Sequence, residues 1–154
     1  AAKHGSAQAA HELSQLYYQN ADQLDPSYLT AIEWQRKSDR LTLSHDTSST
    51  YLREDSAITK EEALRNQISQ AEQDNADMQF NLGRRYDFAL GVTKNTAQAV
   101  YWYTRSANNG SYSGATYAAY ALCKGIGTEK NSDQANHWFT QVNHPARCLN
   151  TTGK

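Results

Sequence analysis

At 154 residues the chain suits one domain, and a net charge of −1, from 15 basic and 16 acidic side chains, offers no field to gather a nucleic-acid backbone or an anionic membrane surface. Leu, Ile, Val and Phe supply only 22 of the residues, but 21 alanines and 13 tyrosines and tryptophans are present, which predicts closely packed helices with a core of small and aromatic side chains rather than disorder. No apolar run approaches the roughly 18 residues that a bilayer span needs.

The first predicted helix begins near Gly5 and carries Ala7, Ala9, Ala10, Leu13, Leu16 and Tyr17 on its apolar positions. Asp25-Pro26-Ser27 then reads as a turn, and a second helix follows over about Tyr28 to Ser38. Leu41 to Ser56, with Ser-His-Asp-Thr-Ser-Ser-Thr at its centre and no helical period, reads as loop. Thr59 and Glu62 have capping-box spacing and open a helix through Ala63, Leu64, Ile68 and Ala71. Ala76, Phe80, Leu82, Gly83 and Tyr86 mark the next helix, and Ala99, Trp102, Tyr103 and Ala107 the one after it. Between these two, Gly91 is suited to the positive φ that ends a helix, and Asn95 to the N-cap of its successor. Gly125, Gly127 and Asn131 have the same parts one turn later, and Gly83 and the Ala118-Ala119 pair allow close helix crossing.

These elements repeat. Gly91, Asn95, Ala99, Trp102 and Tyr103 recur as Gly127, Asn131, Ala135, Trp138 and Phe139, each 36 residues on, and Asp74 and Gly110 stand the same distance apart. Ala31-Ile32-Glu33-Trp34 repeats the Ala-x-x-Trp spacing, and Ala63 precedes Ala99 by 36. The chain therefore divides into units at about 5–38, 74–109 and 110–142, a degenerate unit at 39–73 and a tail at 143–154. One tryptophan per unit at a fixed phase points to hairpin cores rather than to a ligand cage.

The run Asp74-x-Ala76-x-Met78, Leu82-Gly83-x-x-Tyr86, Ala89-x-Gly91-Val92, Asn95-x-x-x-Ala99-x-x-Trp102-Tyr103 and Ala107-x-x-Gly110 resembles the Sel1-like repeat, a relative of the tetratricopeptide repeat. The last unit departs from that pattern in having Ala118-Ala119 for Leu-Gly and Leu122 for Tyr. The resemblance implies an all-α solenoid of three to four stacked helical hairpins, one of them degenerate, with a concave surface lined by the first helices. It implies a non-catalytic module that binds another protein: a bacterial immunity protein neutralising a secreted toxin or effector, or a periplasmic or regulatory adaptor. It also gives the concave positions: Asp77, Phe80, Arg84 and Asp87 in the middle unit, Ser113, Thr116, Tyr120 and Cys123 in the last, and Gln8, His11, Gln15 and Tyr18 in the first. Tyr18, Phe80, Arg84 and Tyr120 are the expected anchors, because aromatic and Arg side chains are enriched at such sites. Phe80 has a second reading, packed on the preceding helix through Leu64 or Ile68.

Catalytic and metal chemistry find little support in the residues. Ser44-His45-Asp46 holds the three residue types of a hydrolase triad, but neighbours in sequence cannot face one another as a triad requires. Gly125-Ile126-Gly127 lacks the rest of a dinucleotide or phosphate loop, and His4 and His11 have no third ligand at metal spacing. The first-turn pair Glu61 and Glu62 is accounted for by the helix dipole, and no enzyme activity, cofactor or metal is expected. Cys123 and Cys148 are either two free thiols or a bridge, and a bridge would mark an oxidising compartment. The chain opens on Ala1 rather than Met, which suggests processing or excision from a longer chain; a periplasmic or secreted location is expected, with a cytoplasmic one as the alternative.

Overall fold

The computed structural model describes residues 6–45 and 60–149, and all of its regular structure there is helical. In chain order the helices are α1 (Ala7–Gln19), the single turn α2 (Ala21–Leu24), α3 (Leu29–His45), α4 (Lys60–Ala71), α5 (Ala76–Phe88), α6 (Thr96–Asn108), α7 (Tyr112–Lys124) and α8 (Ser132–Gln141). Three antiparallel hairpins result, α1 with α3, α5 with α6 and α7 with α8, and α4 packs on α5. The all-α solenoid read from the sequence is the observed fold.

The repeat is visible in individual hydrogen bonds. Asn95 and Asn131 both cap with an extended backbone, and each side-chain carbonyl accepts the N–H three residues on, from Gln98 and Gln134 at 3.1 and 2.9 Å. Their own N–H groups donate to the carbonyls of Tyr86 and Leu122, so both inter-helix turns are closed by the same bond. Asn75, Ser111 and Ser6 cap α5, α7 and α1 in the same way, each cap being worth about 1 kcal/mol.

The ends of α5 and α7 correct one detail. The left-handed residue that stops α5 is Ala89, at φ 57°, matched by Gly125 at φ 72°, whereas Gly91 and Gly127 take positive φ two residues later, inside the turn. Gly127 is held to glycine by space as well, since a Cβ there would drive into the Thr96 carbonyl.

Close approach explains the alanine-rich composition. A Cβ on Gly83 would stand 2.6 Å from the Tyr103 ring, and Ala99, Ala118 and Ala119 are buried at the crossings, so α5, α6 and α7 meet almost backbone to backbone. Trp102 is buried against Leu82 and Ala71, and Trp138 with Phe139 lies in the cluster that also holds Ile32, Ala115 and Ala119. Trp34 departs from this pattern: it is only half-buried, and the Lys37 ammonium lies 5.3 Å from its ring. The first hairpin is sealed by smaller residues, Ala10, Ala31 and Ser14.

Cys123 and Cys148 form a disulfide with their Cα atoms 5.5 Å apart. It fastens the segment after α8 across the end of α7, and Asn136 adds bonds to the backbone N–H and carbonyl of Cys148.

The expected loop at Leu41 to Ser56 is corrected at its start. Helix α3 runs on to His45, because Leu41 is buried and the Ser44 hydroxyl turns back to donate to the Leu41 carbonyl, which removes the loop-forming use of that serine. Residues 46–59 and His4 lie outside the described residues. No helix among the described residues is long and apolar enough to cross a membrane.

Candidate functional site

Helices α1, α3, α5 and α7 face a common open groove of about 470 Å³. His11, Ser14 and Gln15 come from α1, Gln35, Ser38, Asp39 and Thr42 from α3, Phe80 and Arg84 from α5, and Ser113 and Tyr117 from α7. Helical spacing places them: residues three and four apart on one helix share a face. At the floor of the groove the Arg84 guanidinium lies 4.5 Å from the Phe80 ring centroid and donates to Asp39 at 2.7 Å. Asp39 also accepts the Tyr117 hydroxyl at 2.9 Å. Burial, and after it the Asp39 carboxylate, pushes the Tyr117 pKa well above its ordinary value, so the phenol remains a donor. Phe80 meets Tyr117 edge-on at 5.2 Å and Tyr103 at 5.7 Å, with one side left to the groove.

Behind this floor α3 is locked to α5 and α7. Arg36 makes a two-pronged ion pair with Asp87, at 2.8 and 3.3 Å, and Asp87 also accepts the Tyr103 hydroxyl at 2.8 Å. Burial works against the Arg36 charge, but the bonds and charge of Asp87 more than offset it and hold the guanidinium firmly protonated. Further along, Glu33 accepts the Tyr120 hydroxyl at 3.0 Å and pairs with Lys124 at 3.5 Å. Descending positions on α3 thus meet ascending positions on α5 and α7, so α3 runs antiparallel to both.

Among the expected partner-binding residues, the structure brings Phe80 and Arg84 together on the groove. Asp77 is exposed in the first turn of α5. Tyr18 is half-buried, donating its hydroxyl to Gln35 at 2.8 Å and lying 3.1 Å from His144 Nε2. Asp87 and Tyr120 are corrections: both are under 10 % exposed, because α3 covers the positions they occupy on α5 and α7. Thr116 and Cys123 are buried as well, Cys123 in the disulfide, and are out of reach. Phe80 does not pack on Leu64 or Ile68; its ring neighbours are Tyr103 and Tyr117.

Arg36, Asp39 and Tyr117 carry no site motif in the sequence. The available signal was the stripe Glu33, Arg36, Asp39 at spacing three on a helix whose apolar positions are few. Among the described residues no three His, Cys, Asp or Glu side chains gather as a metal site would require.

Stacked helical hairpins with an open groove across α1, α3, α5 and α7 define a solenoid of the kind that presents a binding surface. The Sel1 repeat model matches residues 7–38, 76–111 and 113–141, more than half of the chain, and the protein belongs to the Sel1 repeat family. Sel1 repeats are typically protein–protein interaction modules. Two solved structures share the fold. A Sel1 repeat protein from Oxalobacter formigenes is similar with a TM-score of 0.54 at 24% identity, over 87% of this chain and 55% of that one. A protective antigen of uropathogenic Escherichia coli strains that displays an SLR fold is similar with a TM-score of 0.52 at 23% identity, over 92% of this chain and 31% of that one. The chain thus spans about half the length of the first and about a third of the second. No curated protein matches its sequence.

Proposed function

We propose that the chain is a non-catalytic binding module that holds a partner protein in the groove between α1, α3, α5 and α7, and that the partner is a secreted toxin or effector which it neutralises. The observation that carries the reading is the groove floor, where Phe80 and Arg84 of α5 present an aromatic ring and a guanidinium, backed by the buried Tyr117 of the next repeat. Aromatic and arginine side chains are enriched among the few residues that carry most of an interface's energy. The Cys123–Cys148 disulfide supports an oxidising compartment, the periplasm or the exterior. An adaptor role uses the same groove and differs in the consequence of binding.

The test begins with the partner, captured from source cells and purified, and measures its affinity by calorimetry. Phe80→Ala with Arg84→Ala removes two adjacent anchors; at about 2 kcal/mol or more each, affinity should fall by more than about a hundredfold with the helical spectrum unchanged. Glu61→Ala, on an exposed turn of α4, should leave it intact. Undiminished affinity in the double variant refutes the groove. Loss of the partner's toxic activity on binding separates inhibitor from adaptor.

A further inference from the structure

The α5–α6 hairpin receives a helix on one face, and the first hairpin repeats that face uncovered. Helix α4 brings Leu64, Ile68 and Ala71 against Met78, Leu82 and Tyr86 of α5 and Trp102 of α6. In the same way Ala107 of α6 lies in the cluster that holds Trp138 of α8. On α1, Ala9, Leu13 and Tyr17 stand three, seven and eleven residues after the cap Ser6, as Met78, Leu82 and Tyr86 do after the cap Asn75. Ala31 and Trp34 of α3 match Ala99 and Trp102. Yet where Leu82 is 0% and Trp102 4% exposed, Leu13, Tyr17 and Trp34 are only half-buried. Leu16 is 45% exposed; it holds the place of Arg85, whose guanidinium donates to Gln67 of α4 at 2.9 Å. Leu13 is two residues from both His11 and Gln15, about 200° round α1, so this face and the groove lie on opposite sides of the helix.

Charge extends the match. The Arg105 guanidinium lies 5.2 Å from the Trp102 ring centroid and pairs at 3.6 Å with Asp74, on the turn that follows α4. Lys37, likewise three residues after its tryptophan, lies 5.3 Å from the Trp34 ring centroid and has no carboxylate partner among the described residues. A second copy of the chain is poorly suited to supply the missing helix. Helices α4 and α6 already cover faces of their own. Helix α8 and the turn after it have Asn136, Thr140 and Asn143 where α4 has Leu64, Ile68 and Ala71, and Asn136 is tied to the Cys148 backbone.

We propose that Ala9, Leu13, Leu16, Tyr17 and Trp34, with Lys37 beside them, form a second docking surface, which takes an amphipathic helix of another protein. That helix carries apolar residues at the places of Leu64, Gln67 and Ile68, an alanine at that of Ala71 and a carboxylate at that of Asp74, the i, i+3, i+4, i+7 anchors of a docked helix followed by the partner of Lys37. The surface is separate from the groove and does not depend on what the groove binds.

The test uses the full chain and a fluorescein-labelled peptide of residues 60–74 carrying Gln67→Leu to meet Leu16, with binding followed by anisotropy. Saturable binding is expected, at least about tenfold weaker for a peptide that also carries Leu64→Ala and Ile68→Ala, and at least about tenfold weaker for the Trp34→Ala chain. Should Trp34→Ala lose its helical spectrum, Leu16→Glu, at an exposed position, takes its place. No binding, equal binding of the two peptides, or binding indifferent to these chain variants overturns the surface. Lys37→Glu should weaken binding, and a peptide with Asp74→Lys should recover the loss; absence of recovery overturns the carboxylate assigned to the partner. Sedimentation without peptide should give a monomer. A dimer that Trp34→Ala or Leu16→Glu dissociates would assign the face to a second copy and overturn the proposed occupant.

Discussion

Acidification should loosen the join between the first hairpin and the last through one imidazole. His144 is 3% exposed, between the rings of Phe139, Tyr112 and Tyr18. Its Nδ1 accepts the Ala146 N–H at 3.0 Å, which places the ring proton on Nε2, from where it is donated to the Tyr18 oxygen at 3.1 Å; Tyr18 donates onward to Gln35. Protonating Nδ1 would set a donor against the Ala146 N–H. Burial, and after it the Arg147 charge, pushes the His144 pKa down to about 4. The unfolded chain titrates near 6.5, so between these values it binds the proton that the folded chain refuses. The stabilisation is therefore complete above about pH 6.5 and is lost as the pH falls towards 4. At about 1.4 kcal/mol per unit, acting over the two units from 6.5 to 4.5, the drop from pH 7.5 to 4.5 comes to about 2.5 kcal/mol. Urea unfolding at the two pH values measures it, with His144→Phe as the variant that keeps a ring and cannot titrate. Equal losses in the two proteins would refute the assignment to His144.

Trp102→Ala should cost about 3 to 5 kcal/mol in denaturant unfolding, since the indole is 4% exposed between α4, α5 and α6. Ala89→Gly should stabilise by about 0.5 to 1 kcal/mol, because Ala89 holds the left-handed conformation that Gly125 adopts without strain; a loss of stability would contradict the assigned helix stop. Reduction of the Cys123–Cys148 bridge, which closes a loop over a sequence separation of 25, should lower stability by roughly 3 kcal/mol, and mass spectrometry of the unreduced protein should find no free thiol.

The hairpins were legible because their determinants are local and periodic. Asn95 and Asn131 announce caps through side chains that bond three residues ahead, and Ala99, Trp102 and Tyr103 with Ala135, Trp138 and Phe139 set the same face of α6 and α8 on the core. The turn that stops α5 was misplaced by two residues for a reason of the same kind. A glycine is the usual tenant of the left-handed position, and Ala89 carries that conformation with no mark in the sequence. The disulfide was open on spacing alone, since only the fold brings the residue at the end of α7 and the tail to 5.5 Å.

The course of α3 was not legible, and the candidate site changed with it. Repeat logic assigns the faces of α5 and α7 as if each hairpin stacked regularly on the last, which makes Asp87 and Tyr120 surface anchors. Their burial depends on Arg36 and Glu33, 51 and 87 residues away in sequence, on a helix that reads as an ordinary charged one. Opposite charges at spacing three look the same whether they face water or a complementary groove, because periodicity reports a shared face and not what it meets. What separates the two cases is matching sign on another element: Arg84, Asp87 and Lys124 become informative only when set antiparallel to α3. Of the residues that the sequence singled out, Phe80 and Arg84 stay accessible together, at the end of this interface where α3 leaves the groove open.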